Sequence, residues 1–164
     1  MFVYSLKASS IKFVIVLVLC VCAIVLLFTL TGTADEAVTV AGQEINYGGM
    51  KTNEDRVAFI EQFGLKVDGE PIEEQPFSIP ENFDRVIAGY NEIQKTQGLD
   101  LAKYKGKRVT RYTYRATNYD FEGDVNVNLL VYKGRIIGCD LSSADPLGFV
   151  TSLVTLDAEM LTER

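Results

Sequence analysis

The sequence predicts an α+β domain that follows an N-terminal transmembrane helix. Three observations support this: an uncharged apolar run near the N-terminus, two helix-like segments between residues 51 and 98, and period-two alternation between residues 107 and 141. We expect two helices packed on one face of a three- to four-stranded antiparallel sheet, a β-meander, with a short C-terminal helix. A chain of 164 residues is long enough for one such domain and not for two.

The apolar run covers residues 13–30 and contains no charged side chain. As a helix it would be roughly 27 Å long, which is close to the hydrocarbon thickness of a bilayer. We therefore predict a transmembrane anchor. The alternative is a cleaved signal peptide, because the small residues at 32–34 suit a cleavage site; the run is longer than the apolar core of most signal peptides.

Charges beside this run predict its orientation. Lys7 and Lys12 precede it, whereas Asp35 and Glu36 follow it. The positive-inside rule then places residues 1–12 in the cytoplasm. We expect a single-pass protein of the cell membrane with an extracytoplasmic C-terminal domain, and export of that domain follows under both alternatives.

Composition divides the exported part into three segments. Residues 31–50 are rich in Thr, Ala and Gly and show little periodicity, which predicts a linker. Residues 51–154 carry the periodic patterns and form the predicted α+β domain. Residues 155–164 are predicted to be a loosely held tail.

Two segments have the end signals and spacing of helices. Thr52 and Asp55 form a capping-box pattern before the first, and Gly64 ends it. The second runs from Pro80 to about Gln97. Its apolar stripe is Phe83, Val86, Ile87, Tyr90 and Ile93.

Four segments are predicted to be extended. Residues 71–79 lie between two prolines and belong at a sheet edge. The meander follows, with a two-residue turn at Lys133-Gly134. Its strands are predicted at 107–119, 125–132 and 135–141. Asp145-Pro146 then predicts the start of the short helix, which would end near Val154.

Composition also excludes several functions. The formal net charge of −6 argues against nucleic-acid binding, because phosphate contacts need a basic surface. The chain has no histidine, which removes the histidine-dependent nucleophile systems and the commonest transition-metal ligand. Cys139 is predicted to be a partly buried apolar residue. We expect a protein that is not an enzyme, with no catalytic residues, cofactor or metal.

Charge is distributed unevenly along the domain. Residues 35–100 carry a net charge of −9, whereas residues 101–120 carry +5. One hypothesis is that the basic segment contacts an anionic partner, such as lipid headgroups, a wall polymer or an acidic protein patch. The other is that Arg111 and Arg115 lie on a solvated strand face and pair with acidic helix residues of the same domain. The candidate surface is Lys103, Lys105, Lys107, Arg108, Arg111 and Arg115.

Several short segments carry a resemblance to a known family. They are Lys51 to Arg56, Tyr90 to Gly98, Tyr104 to Lys107, Tyr112 to Tyr114 and Asn128 to Gly134. Together they resemble the domain of unknown function 4830 family, small membrane-anchored proteins of Gram-positive, clostridia-like bacteria. The likeness covers residues 51–154. It implies a bacterial cell-surface setting and no particular activity.

A second resemblance concerns the predicted hairpin. The strand-turn-strand at residues 131–138 is similar to the end of PepSY-type modules, which restrain proteases or act as extracytoplasmic sensors. The sequence therefore supports two functional expectations. The first is a binding or regulatory module at the cell surface; the alternative is a PepSY-like module whose sheet edge pairs with a peptide.

Overall fold

The computed structural model of the chain divides it into two units, residues 1–34 and 35–164. The structure describes residues 17–18, 38–40, 43–145, 147–156 and 158–161. The predicted anchor at 13–30 therefore lies outside the described residues, except for Leu17 and Val18, which are helical. Within the described ranges, no helix has the length and apolar character needed to cross a membrane.

The second unit is an α+β domain, as predicted. A five-stranded antiparallel sheet has the strand order β3-β4-β5-β6-β7, and β1 pairs with β2 separately. The elements are β1 (Val38–Val40), β2 (Gln43–Ile45), α1 (Asn53–Glu61), β3 (Glu73–Ser78), α2 (Arg85–Lys95), a 3₁₀ helix (Leu101–Tyr104), β4 (Arg108–Arg115), β5 (Val125–Tyr132), β6 (Arg135–Ser143), β7 (Val150–Thr151) and a second 3₁₀ helix (Ala158–Met160).

The meander is confirmed and has one more strand on each side. The segment predicted at the sheet edge contains β3, which pairs with β4, and β7 pairs with the end of β6. Lys133 and Gly134 form the predicted turn, with φ of 48° and 75°. Two consecutive residues with positive φ match the twist of a tight hairpin.

Helix α1 begins where the capping box predicts. Thr52 Oγ1 accepts a hydrogen bond from the Asp55 N–H at 3.2 Å, and Asp55 Oδ2 accepts one from the Thr52 N–H at 2.8 Å. The backbone hydrogen bonds from Thr52 and Lys51 lower the pKa of Asp55. Gly64 follows the helix with φ of 77°, as its role as a terminator requires.

Helix α2 differs from its prediction at both its start and its buried face. It begins at Arg85, because the Asp84 carboxylate accepts a hydrogen bond from the Ile87 N–H at 2.8 Å and so caps the helix. Val86 of the predicted apolar stripe is 78% exposed. Phe83 and Tyr90 of the stripe pack against a small core as predicted, and the fully buried residues of α2 are Asn91 and Gln94.

The two helices lie on opposite faces of the sheet, which corrects the prediction of a single helical layer. Adjacent residues Leu129 and Leu130 of β5 are both buried, and neighbours on a strand point to opposite faces. Leu129 belongs to the core that contains Phe59 and Ile60 of α1. Leu130 belongs to a smaller core against which Tyr90 of α2 packs. We call these the α1 face and the α2 face.

The predicted linker at 31–50 is wrong for its C-terminal part. Ile45, Tyr47 and Met50 are buried in the core of the α1 face. The Ile136 N–H donates to the Tyr47 carbonyl at 2.7 Å, so this segment also covers one edge of β6. The sparse apolar residues of the segment gave no periodicity from which this packing could be predicted.

The predicted helix at 145–154 and the loosely held tail also need correction. Strand β6 continues to Ser143, and the chain then turns to form β7 instead of a helix. Backbone pairing with the sheet replaces helical hydrogen bonds here. In the tail, Leu161 forms a β-bridge with Tyr119 and packs against the core.

Side-chain amides close the rest of the β6 edge. Gln94 Oε1 accepts a hydrogen bond from the Cys139 N–H at 2.8 Å, and Gln97 Nε2 donates to the Cys139 carbonyl at 2.7 Å. Gln97 Oε1 also accepts from the Leu153 N–H at 2.9 Å. These contacts explain why α2 buries polar residues: they satisfy backbone groups that a neighbouring strand would otherwise bind.

Candidate functional site

A cavity of about 260 Å³ lies on the α2 face of the sheet, and we call it the polar cavity. Its wall combines charged, amide, hydroxyl and apolar side chains from β3, α2, β4, β5, β6 and β7. The lining residues are Phe77, Tyr90, Arg111, Asn128, Leu130, Asp140, Ser142 and Val150. Such a mixture is typical of sites for small polar ligands.

Strand register brings the polar residues together. Asn128 of β5 pairs with Thr113 of β4 on one side and with Asp140 of β6 on the other. Directly paired residues point to the same face, so a row of polar side chains crosses the middle of the sheet. The Thr113 hydroxyl donates to Asn128 Oδ1 at 2.9 Å, which holds the amide with its Nδ2 towards β6.

Asp140 is the acidic centre of the cavity and is only 4% exposed. Its carboxylate accepts hydrogen bonds from the Tyr90 hydroxyl at 2.6 Å and from Asn128 Nδ2 at 2.9 Å. Burial raises the pKa of Asp140, and these hydrogen bonds and the charge of Arg111 offset part of the rise. Burial also raises the pKa of Tyr90 well above its ordinary value, so this hydroxyl stays a donor.

Arg111 supplies the basic group. Its Nη2 donates to Glu73 Oε2 at 3.0 Å and to Gln75 Oε1 at 2.8 Å, and both acceptors lie on β3. The Nε atom is buried and has no hydrogen-bond partner in the described part of the chain. A buried donor without an acceptor is costly, by about 1–3 kcal/mol, unless a ligand or water accepts the hydrogen bond.

A second unpartnered polar atom lies on the same face. Asn126 precedes Asn128 by two residues on β5, and its Oδ1 is buried without a donor among the residues that the structure describes. Among the described residues, the buried side-chain atoms without a partner are therefore two donors, Arg111 Nε and Gln94 Nε2, and one acceptor, Asn126 Oδ1.

An apolar cavity of about 270 Å³ adjoins the polar one. Phe77, Tyr90 and Leu130 line both, so the two spaces share a wall. Ile79 and Ile87 complete the apolar side, between β3 and the first turn of α2. The polar cavity is therefore bordered by apolar side chains on the side nearest β3 and α2.

The chemistry available in the polar cavity is limited. Ser142 Oγ accepts a hydrogen bond from Asn128 Nδ2 at 3.0 Å, and the lining contains no second carboxyl group that could act with Asp140 as an acid-base pair. Burial raises the pKa of the neighbouring Cys139 thiol well above its ordinary value. In the residues described, no group of acidic or cysteine side chains could hold a metal ion.

The six residues of the candidate basic surface fall into two groups in the structure. Arg111 and Arg115 form ion pairs with Glu73 and Asp124 of the same domain, at 3.0 and 3.7 Å. The expected helix partners were wrong, because Glu73 lies on β3 and Asp124 lies in the loop before β5. The remaining four residues are exposed around the start of β4, where contact with an anionic partner stays a prediction. They are Lys103, Lys105, Lys107 and Arg108.

Arg111 is the one cavity residue among the candidates chosen from the sequence. Asp140 was missed, although it is the one charged residue in the otherwise apolar run from Ile136 to Leu141. An acidic residue inside a buried strand is unusual, and this signal could have identified it. Tyr90 was assigned to the apolar stripe of α2, and its sequence context gave no sign that its hydroxyl binds Asp140.

The described part of the chain is a small α+β domain with a polar cavity on one face of a β-meander. Residues 59–141 match the family described as Domain of unknown function (DUF4830), and this range is just over half of the chain. The chain belongs to this family, which confirms the resemblance seen in the sequence. No curated protein and no solved structure matches it.

Proposed function

We propose that this protein is a membrane-anchored, extracytoplasmic and non-enzymatic binding module that holds a small polar ligand in the polar cavity. The apolar run at 13–30 and its flanking charges support the anchor and the export of the domain. The cavity supports the binding role. Absence of histidine from the whole sequence supports a function without histidine-dependent catalysis.

One observation carries the binding role: the polar cavity contains a buried carboxylate together with an arginine whose Nε has no partner within the described chain. Buried charged groups destabilise a domain unless they are satisfied. Asp140 is satisfied by Tyr90 and Asn128, whereas Arg111 has a donor left over. A bound ligand with an acceptor would complete the hydrogen bonding of the site.

The alternative, a PepSY-like module that pairs a peptide with its sheet edge, has less support. The β6 side is covered by residues 45–50, by the side-chain amides of Gln94 and Gln97 and by β7. On the other side, β3 is exposed, but it contains Pro76, which has no N–H for a neighbouring strand. Glu73 and Glu74 add charge to the same strand, a feature that keeps edges from pairing.

Localisation is tested with a reporter enzyme that is active only outside the cytoplasm, fused to the C-terminus. We expect activity in intact cells and recovery of the full chain with the membrane fraction. A fusion that is produced at full length but shows no reporter activity would overturn the proposed location.

Binding is tested by thermal unfolding of the full chain, purified in detergent, against a panel of small neutral, singly charged and zwitterionic solutes. We expect at least one class to raise the unfolding temperature, and the Arg111→Gln variant to lose this response. Arg115→Gln is the matched control, because Arg115 lies on the same strand and pairs with Asp124 at 3.7 Å but does not line the cavity. A panel without any effect would overturn the proposed binding role.

A further inference from the structure

Two opposite charges line the polar cavity without meeting. Arg111 forms an ion pair with Glu73, whereas no ion pair of Asp140 occurs among the described residues. The two groups nevertheless interact electrostatically, because the charge of Arg111 offsets part of the rise in the pKa of Asp140. The cavity therefore presents a cation on one side and an anion on the other.

We propose that the polar cavity binds a free α-amino acid as its zwitterion, with the carboxylate at Arg111 and the ammonium group at Asp140. This inference rests on the proposed function and specifies its ligand. A carboxylate oxygen accepts the hydrogen bond that Arg111 Nε cannot make within the described chain. The ammonium group donates to the Asp140 carboxylate, whose existing donors are the Tyr90 hydroxyl and the Asn128 amide.

Ligands with a single charge fit the cavity less well. A simple anion would satisfy Arg111 but would face the buried Asp140 carboxylate. A simple cation would be attracted to Asp140 but would leave Arg111 Nε without an acceptor. A zwitterion places each of its charges beside a group of opposite sign, and so both protein charges are compensated at once.

The adjoining apolar cavity indicates the side chain. Phe77, Tyr90 and Leu130 separate the two spaces and line both. An aliphatic side chain can pack against these residues while the charged head stays in the polar cavity. The polar cavity, at about 260 Å³, lies just below the range of roughly 300–1,000 Å³ that is usual for drug-sized ligands. A molecule as small as L-leucine suits this space.

The first experiment changes the ligand and leaves the protein intact. Isothermal titration calorimetry on the full chain in detergent compares L-leucine with N-acetyl-L-leucine, L-leucinamide and N-acetyl-L-leucinamide. The three analogues keep the side chain and remove the positive charge, the negative charge or both. We expect L-leucine to bind and each analogue to bind at least about tenfold more weakly, since each loses a charge-assisted hydrogen bond.

The second experiment changes the protein. Arg111→Gln and Asp140→Asn should each weaken L-leucine binding at least about tenfold. Arg115→Gln and Asp124→Asn are the controls, because these two exposed residues pair with each other outside the cavity; both should bind within about twofold of the wild-type chain. Tyrosine fluorescence of each variant verifies folding, and the analogue series tests the inference even if a variant does not fold.

The outcomes separate this inference from the proposed function. Equal binding of N-acetyl-L-leucine would show an anion site, and equal binding of L-leucinamide would show a cation site. Equal binding of N-acetyl-L-leucinamide would show a neutral-amide site. Each of these results would refute the inference of a zwitterionic ligand but would leave the proposed binding function in place. If none of the four compounds binds at millimolar concentration, the inference falls, and if the wider solute panel also gives no response, the proposed binding role falls with it.

Discussion

Replacement of Gln97 by methionine tests how the domain closes its sheet edge. Gln97 is 0% exposed, and its side chain binds three groups that are distant in sequence. Its Nε2 donates to the Cys139 carbonyl at 2.7 Å, its Oε1 accepts from the Leu153 N–H at 2.9 Å, and the Cys139 thiol lies 3.3 Å from the same oxygen. Methionine is similar in length and apolar, so the variant removes these hydrogen bonds with little change in packing.

The expected loss follows from the backbone groups left behind. In Gln97→Met, the Cys139 carbonyl and the Leu153 N–H stay buried and lose a partner. A buried polar group without a partner costs about 1–3 kcal/mol, so two of them cost about 2–6 kcal/mol. A domain of this size has a free energy of unfolding of about 5–15 kcal/mol. The variant should therefore lose a large part of its stability.

Urea titration measures this loss through tyrosine fluorescence, since the chain has eight tyrosines and no tryptophan. With a urea m-value of about 1–3 kcal/mol/M, the midpoint should fall by about 1 M or more. Gln62→Met is the matched control: Gln62 is exposed after the end of α1, and its Nε2 donates one local hydrogen bond to the Phe59 carbonyl at 2.8 Å, so its replacement should cost no more than about 1 kcal/mol. A Gln97→Met midpoint within the error of the wild type would refute the idea that side-chain amides replace a strand at this edge.

Four further variants test individual features of the fold. Thr52→Ala removes the cap of α1 and should lower the unfolding free energy by about 1 kcal/mol in the same titration. Lys133→Asn suits the positive φ of the turn better and should raise it by about 0.5 kcal/mol. Gly138→Ala places a Cβ 3.0 Å from Leu130 Cδ1 and should cost about 1–3 kcal/mol. Burial raises the pKa of Asp140 above its ordinary 3.8. The folded protein therefore holds this proton more tightly than the unfolded chain does, and the free energy of unfolding falls as pH rises from about 4 through the raised pKa. The Asp140→Asn variant should lack this decrease.

Local signals were sufficient for most of the sheet and for the start of α1. The period-two pattern of β5 predicted both of its ends, and Lys133-Gly134 predicted the hairpin. Thr52 and Asp55 predicted the capping box because its two hydrogen bonds join residues only three apart. Each of these features depends on neighbours in sequence, and such features can be predicted from one chain.

Features that depend on distant residues could not be predicted in this way. Gln94 and Gln97 are polar residues in and just after α2, yet both are buried because they bind the backbone of β6, more than 40 positions away. Val86, which fits the apolar stripe of the same helix, is exposed. Helical periodicity shows which residues share a face, but it does not show whether a sheet edge or an apolar surface lies opposite.

The polar cavity also depends on residues that are distant in sequence. Alternation along β5 places Asn126 and Asn128 on one face of the sheet, but it does not show what covers that face. In the structure this face is partly enclosed by α2 and β7, and its centre is the buried Asp140. An apolar residue at this position could extend the small core around Leu130, whereas a carboxylate there must be satisfied by Tyr90 and Asn128. Local conflicts of this kind are expected at functional sites, where binding rather than stability determines the residue.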